Sequence, residues 1–211
     1  EKKRLFQAIP RLGVVGVSRW ITQEAGRSFL QSAALIEPIY NWVDFSQFYP
    51  REVEPSCPDK ISALSVASEW SDLKGLGDLL QLAELLEEEM ELLLVGALPP
   101  QAGPLPQNVR HVERLHSPEE LAQAYSEADV YLNLSRQETF GLVSAEALAC
   151  GTPLVAYRAT ANPELVGEGC GQVVAAGDVQ GVAECVRQVR RRGKQAYSPH
   201  CLAFAREQFD A

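Results

Sequence analysis

No pair of aspartates in D-x-D spacing occurs in the 211 residues, so a metal bridging a diphosphate to paired carboxylates has no candidate ligands, and no metal is expected. Histidine is scarce. Only His111, His116 and His200 are present, and no Ser/His/Asp arrangement gives a hydrolase triad its base; His111 reads as a strand residue. The five cysteines (Cys57, Cys150, Cys170, Cys185 and Cys201) form no C-x-x-C pair and no Cys/His cluster, which argues against a zinc site. They read as reduced thiols of a cytoplasmic protein, with Cys150 a small core residue. No apolar run approaches the ~20 residues that span a bilayer, and no signal peptide is evident. Cations are in deficit: 19 Lys and Arg face 28 Asp and Glu, a formal net charge of −9. That balance argues against a nucleic-acid partner or direct binding to an anionic membrane, because both need a basic face. Any phosphate-bearing ligand must then be held by a few local cations and backbone N–H groups.

What is present is a core. A hydrophobic content of 46% suits an ordered domain with extra elements at its ends. LGVVGVS, RWITQEAGRSFLQS and ALIEPIYNWVD read as strand, helix and strand. FSQFYPREVEPSCPDK, rich in Pro, Ser and charge, reads as a linker, so residues before about 45 are expected to pack apart from those after about 60. From residue 60 strands and helices alternate. KISALSVAS, MELLLVG, NVRHVE, DVYLNLS, PLVAYR and GQVV are strands, interleaved with helices in GLGDLLQLAELLEE, SPEELAQAYSEA, FGLVSAEALACG and VQGVAECVRQVRR. NPELVGEG reads as a helical turn or two, and LAFAREQF as helix. Ser117, Pro118 and Glu120 form a capping-box start for the second helix. Strands joined by helices imply right-handed crossovers, hence an α/β fold: a Rossmann-like layered parallel sheet with helices on both faces.

In such sheets ligands bind beyond the carboxyl ends of the strands. SEWSDLKG, VGALPPQ, ERLHSPEE, LSRQETFG and RATANPE leave those ends and hold polar, charged and glycine residues. ETFGLVSAEALACGTP is the most telling stretch. Its helix begins near Gly141, and first-turn N–H groups at the positive end of a helix dipole form an anion site, with phosphate the natural guest. Glu138 precedes that terminus; Glu146 lies about a turn and a half inside it, among Leu142, Val143, Ala149 and Cys150. Burying such a carboxylate costs several kcal/mol, on the order of that for an unpaired ion, unless something donates to it. Two readings stand. Glu138 is a dipole-stabilising charge and Glu146 pairs with an internal Arg, or the two flank a diphosphate whose ligand has hydroxyls on both sides, as a nucleotide sugar does. Lys74 in DLKG supplies a point charge at the neighbouring rim. Arg114, Arg136 and Arg158 are further rim cations.

E-T-F-G-L-V-S-A-E followed by A-L-A-C-G-T-P-L-V-A is similar to the signature of retaining glycosyltransferases of the family 4 type, which share the two-domain GT-B fold. The resemblance runs from GVSRWI through IYNWVD, VASEWSDLKG, LLLVG, LPQNVRHVERL, EADVYLNLS and NPELV, and is strongest to bacterial transferases of polysaccharide assembly. It implies the C-terminal, donor-binding half: residues 1–45 end the N-terminal half, 46–59 link, 60–195 bind the nucleotide sugar and 196–211 start a C-terminal helix. The ends EKKRLFQAIP and REQFDA then read as cut from a larger chain.

The resemblance also implies roles. Lys74 matches the lysine on the donor diphosphate and Glu138 the glutamate near the transferred sugar. The amides around Phe140, Gly141, Leu142 and Val143 match those on sugar and phosphate oxygens. Glu146 matches the ribose-binding glutamate, and Arg114 and Leu115 fall where the base is flanked. No cofactor is implied. The acceptor is unspecified, its contacts and any peripheral membrane association belonging to the N-terminal half, and this chain alone is expected to bind donor with little or no turnover. Two departures stand out: Glu69 occupies the place of an arginine five residues before the lysine, with Leu73, not an arginine, just before Lys74, and Ala161-Asn162 replace G-G before P-E. They motivate an alternative, a non-catalytic nucleotide-sugar-binding domain. A GT-B-shaped epimerase is disfavoured by the Glu-x7-Glu spacing.

Overall fold

A computed structural model describes residues 2–53 and 59–210. Residues 54–58 of the expected linker, Cys57 among them, lie outside the described residues. The main body is a six-stranded, all-parallel sheet in the order β5-β4-β3-β6-β7-β8, its strands being β3 (Ile61–Glu69), β4 (Met90–Ala97), β5 (Val109–Val112), β6 (Val130–Asn133), β7 (Leu154–Tyr157) and β8 (Gly171–Val174). In sequence order that is third, second, first, fourth, fifth, sixth. The order reverses between β3 and β6, where doubly wound sheets open a crevice.

The helices are α3 (Leu76–Leu85), α4 (Pro118–Glu127), α5 (Leu142–Ala149), α6 (Val179–Arg192) and α7 (Ser198–Phe209). α3 packs with α6 on one face of the sheet, and α4 and α7 flank α5 on the other. Layering on both faces explains why β6 and β7 are buried at every position, reading VYLN and LVAY without polar alternation. α4 starts as its sequence suggests: Ser117 Oγ accepts from Glu120 N at 3.2 Å, while the Glu120 carboxylate reaches back one residue further, to His116 N at 2.7 Å. NPELVGEG yields one 3-10 turn, Asn162–Leu165, with Pro163 in its first turn, where proline is favoured, and Gly167 and Gly169 beyond its end.

A smaller unit precedes the body. A short helix α1 (Lys2–Gln7), absent from the sequence reading, leads to β1 (Gly13–Gly16), α2 (Arg19–Arg27) and β2 (Leu35–Pro38), with β1 and β2 a parallel pair. This sheet is separate from the main one, but the unit is tied to it. Glu164, in the 3-10 turn after β7, accepts from Arg19 N and Trp20 N at 2.8 and 2.7 Å and from Tyr40 Oη at 2.9 Å, so its carboxylate stands at the positive end of α2. The Tyr40 ring packs on Phe140 and Phe209, and Val43 N bonds Phe209 O at 3.0 Å. Residues 45–53 carry no helix or strand yet lie against the body: Phe48 is buried beside Tyr125, and Arg51 N bonds Ser126 Oγ at 3.0 Å.

Candidate functional site

β3 and β6, the strands flanking the reversal, deliver the first two site residues. Beyond β3 a 3-10 turn, Asp72–Lys74, is stopped by Gly75 in the left-handed region (φ 77°), where any Cβ would run into the Leu134 carbonyl. Only glycine lets the turn approach β6 so closely. Beyond β6, Arg136 N donates to Leu73 O at 2.8 Å and Ser135 Oγ to the same carbonyl at 3.3 Å, fastening one exit to the other. Lys74 Nζ thereby meets Glu138 Oε2 at 2.8 Å.

The backbone of Glu138 is gripped independently. Thr160 Oγ1 accepts from Glu138 N and donates to Glu138 O, both at 2.8 Å. Thr160 is the one non-glycine at positive φ (47°) among the described residues, and such strain persists where the surroundings fix it. Neither departure loop is slack: Asn162 Nδ2 bonds Ser135 O at 2.9 Å.

α5 opens at Gly141, also left-handed (φ 92°), and no side chain caps it. A Cβ there would sit 3.0 Å from Leu165 Cδ1 and 3.2 Å from Glu138 Cγ. The leading N–H groups of α5 are thus left facing a small cavity of about 270 Å³ walled by Lys74, Asn133, Glu138, Gly141, Leu142 and Val143. Asn133 Nδ2 bonds Ser144 Oγ at 2.8 Å and fixes the end of β6 to the first turn.

Next to it opens a cleft of about 1110 Å³, reached by Glu69, Gly96, Arg114, Leu115, Val143 and Glu146. The two share Val66, Ala67, Ser68 and Val143, so they trace one groove along the carboxyl ends of the strands. Glu146 is only 8% exposed, and its partner is not an arginine but Tyr125, whose hydroxyl donates to Oε2 at 3.0 Å. Burial pushes the Glu146 carboxyl up to about 7, against the opposing pull of that hydrogen bond.

The structure therefore gathers Lys74, Glu138, Gly141, Leu142 and Val143 at one end of the groove and Arg114, Leu115 and Glu146 at the other. Phe140 lines neither cavity. Its ring is 3% exposed between Tyr40 and Phe209, so only its backbone could serve a ligand. Of the other rim cations, Arg136 pairs with Asp78 at 2.6 Å and Arg158 is exposed. Glu69 is exposed on the cleft wall, and no cation pairs with it among the described residues. Tyr125 and Thr160 were missed by sequence reasoning. Tyr125 sits in an ordinary amphipathic helix, and nothing local tells that it reaches a residue 21 positions on.

Residues 61–191 match the family model of glycosyl transferases group 1. The chain belongs to that family. It is 32% identical to the MMP alpha-(1->4)-mannosyltransferase of Mycolicibacterium hassiacum, over 91% of this chain and 50% of that one. It is 31% identical to the N-acetyl-alpha-D-glucosaminyl L-malate synthase of Bacillus anthracis, over 71% of this chain and 42% of that one. This group 1 chain thus spans about half the length of these relatives. In structure it resembles sucrose-phosphate synthase from Thermosynechococcus elongatus with a TM-score of 0.80 at 20% identity, over 99% of this chain and 56% of that one. The Anabaena protein HepE, solved in complex with UDP and glucose, gives 0.72 at 20% identity, over 93% and 59%. At such identity these likenesses show the fold, which they share with this group 1 chain.

Proposed function

We propose that this chain is the donor-binding part of a retaining glycosyltransferase that moves a sugar from a nucleoside diphosphate to an acceptor hydroxyl, in bacterial polysaccharide or glycoconjugate assembly. The observation that carries the reading is the meeting of Lys74, Glu138 and the uncapped start of α5 at the sheet's reversal point, at one end of a groove whose other end holds Glu146. HepE binds UDP and glucose, a nucleotide and a sugar, on the same fold.

In this reading the diphosphate sits at the α5 N-terminus, the sugar beside Glu138 and the ribose beside Glu146, with the base between Arg114, Leu115 and Gly96. Lys74 exchanges Glu138 for phosphate oxygens as donor enters. Their ion pair is 35% and 17% exposed, so breaking it costs little, and Glu138 is freed to accept from sugar hydroxyls. Catalysis comes chiefly from stabilising charge on the departing diphosphate by Lys74 and the helix dipole. The leaving phosphate helps deprotonate the acceptor on the same face, and no protein nucleophile is required. No metal is assigned a role.

The acceptor is placed on an N-terminal lobe of which the β1–α2–β2 unit is a part. Leu5, Ile9, Val15, Leu35 and Ile39 expose apolar surface there, a face suited to packing against the remainder of that lobe. A cytoplasmic setting suits the four described cysteines, all unpaired, and no described helix is long and apolar enough to cross a membrane.

A melting-temperature panel with UDP-, GDP-, ADP- and dTDP-sugars tests the binding half of the proposal, since a ligand of the native state raises Tm. One of the four should raise Tm by several degrees at millimolar concentration; no shift with any would overturn the reading. Glu69 favours a second reading, a binding domain without activity, because a carboxylate near the diphosphate opposes it. Nucleotide binding by the full-length protein without sugar transfer would select that second reading, and measurable transfer would exclude it.

A further inference from the structure

Glu146 offers one oxygen to the protein and has one to spare. Oε2 accepts from Tyr125, whereas Oε1 has no partner among the described residues, and the side chain borders the cleft. Tyr125 is held from every side. Its carbonyl accepts from Thr152 Oγ1 at 2.5 Å and from Lys194 Nζ at 3.2 Å. Lys194 further takes Ser126 O and Ala128 O at 2.6 and 2.7 Å, closing the carbonyl end of α4. The ring is met edge-on by Tyr131 at 5.6 Å and tilted by Phe48 at 6.3 Å. A phenol so enclosed cannot move toward a ligand, and it is itself too buried to touch one. Burial and the neighbouring carboxylate push its ionisation well above the ordinary phenol value, so it remains a donor at any working pH.

A fixed donor on one oxygen sets the carboxylate's plane and therefore where the free oxygen points. We propose that Tyr125 is a positioning residue for ribose selection: by holding Oε2 of Glu146, it presents Oε1 to the vicinal hydroxyls of a ribonucleoside diphosphate in the cleft. The inference rests on the nucleotide-binding reading above and adds to it. A site built to accept from a hydroxyl rejects analogues that lack it, because its own polar group is then left unpaired. Geometry sets how large that rejection is, and here the geometry comes from α4 rather than from α5, which bears the glutamate. Packing alone would need no hydroxyl on this ring; the bond to Glu146 is what a phenylalanine would lack.

Calorimetric binding of UDP, GDP, their 2′-deoxy counterparts and inorganic pyrophosphate tests this directly. The wild-type chain should prefer the ribonucleotide to its deoxy form about tenfold or more. Tyr125→Phe should weaken the ribonucleotide about 5- to 30-fold, collapse the ribo/deoxy ratio toward one and leave pyrophosphate unchanged. In a Glu146→Gln background, adding Tyr125→Phe should change the ratio no further, since the residue acts only through that carboxylate. Glu146→Asp, which withdraws the carboxylate from Tyr125 without touching α4, should lower the ratio too and covers a Tyr125→Phe chain that folds poorly. An undiminished ratio in Tyr125→Phe or in Glu146→Asp overturns the inference, as does an equal fall for pyrophosphate. A wild-type chain that binds none of these probes, and none of ADP, dADP and dTDP tested beside them, overturns the nucleotide reading itself, whereas an unchanged ratio on top of firm binding overturns only the role of Tyr125.

Discussion

Glu138 and Glu146 stand eight residues apart on either side of Gly141, and the fold treats them in opposite ways. Glu138 has a cation at 2.8 Å, and its backbone is clamped by Thr160. Among the described residues Glu146 has no cation, only a phenol, and its carboxyl is pushed up to about 7 by burial. The first is neutralised in advance and costs the folded state little. The second is a standing electrostatic cost, retained although a neutral residue would pack there more cheaply. A group kept against stability is a candidate for work, and under the proposed function the contrast separates a carboxylate that exchanges partners from one that waits for its partner.

The largest effect should come from removing the cation. Lys74→Ala deletes the point charge at the α5 N-terminus and leaves Glu138 unpaired beside an incoming diphosphate. A charge-assisted hydrogen bond is worth about 1.5–3 kcal/mol, so nucleoside diphosphate affinity should fall about 10- to 100-fold by calorimetry. A loss under about threefold would mean the helix terminus alone holds the phosphates.

Glu146→Gln sharpens the other side. A carboxyl whose folded pKa is raised from 4.5 to about 7 contributes stability that is fully present below the unfolded value and lost as pH rises through the folded one. Only desolvation and the Tyr125 bond act on it appreciably; no basic group opposes the burial. The wild-type chain should therefore lose stability between about pH 4.5 and 7, and the glutamine variant, which has nothing to ionise, should not. At pH 8 Glu146→Gln should be more stable by about 1–3 kcal/mol, and at pH 4.5 the two should converge. Equal pH profiles in chemical denaturation would show that the carboxylate is better solvated in the cleft than its burial implies. The same variant should lose ribose preference, so stability and function move in opposite directions at one atom.

That opposition also marks what could be read from sequence. The alternation of elements was legible because parallel strands buried on both faces read as apolar runs and their helices as amphipathic ones; β1, α2, β2, α3 and β6 came out shorter than their sequence suggested, and α1 went unseen. Glu146 was legible as a problem, a charge on an apolar helical face, but not its solution, since Tyr125 approaches across the α4–α5 packing and no local spacing encodes that. Thr160 was invisible for another reason. Left-handed backbone at a β-branched residue runs against local propensity, and only the surrounding fold imposes it.

Thr160 supplies a smaller test on the Glu138 side. Thr160→Val removes both hydrogen bonds to the Glu138 backbone and keeps the bulk, so it should cost about 1–2 kcal/mol in Tm-derived stability, whereas Thr160→Ser should cost little. If serine destabilises and valine does not, the methyl group rather than the hydroxyl is what the loop needs.

The smallest effect concerns the residue that fits the proposed site least. Glu69 is exposed on the groove wall without a cation among the described residues, so its repulsion of a diphosphate acts through solvent and is screened. Glu69→Arg reverses that charge without touching either glutamate. Affinity for nucleoside diphosphate should rise only about three- to tenfold at low salt, and most of the gain should vanish by about 0.5 M salt, where the screening length shrinks below the breadth of the groove. A gain that persists in high salt would instead mean a direct contact with phosphate, and the arginine would then be doing from the larger cleft what Lys74 does from the smaller cavity. No gain at low salt would remove Glu69 from the donor's field, and with it the main reason for reading this groove as a binding site without activity.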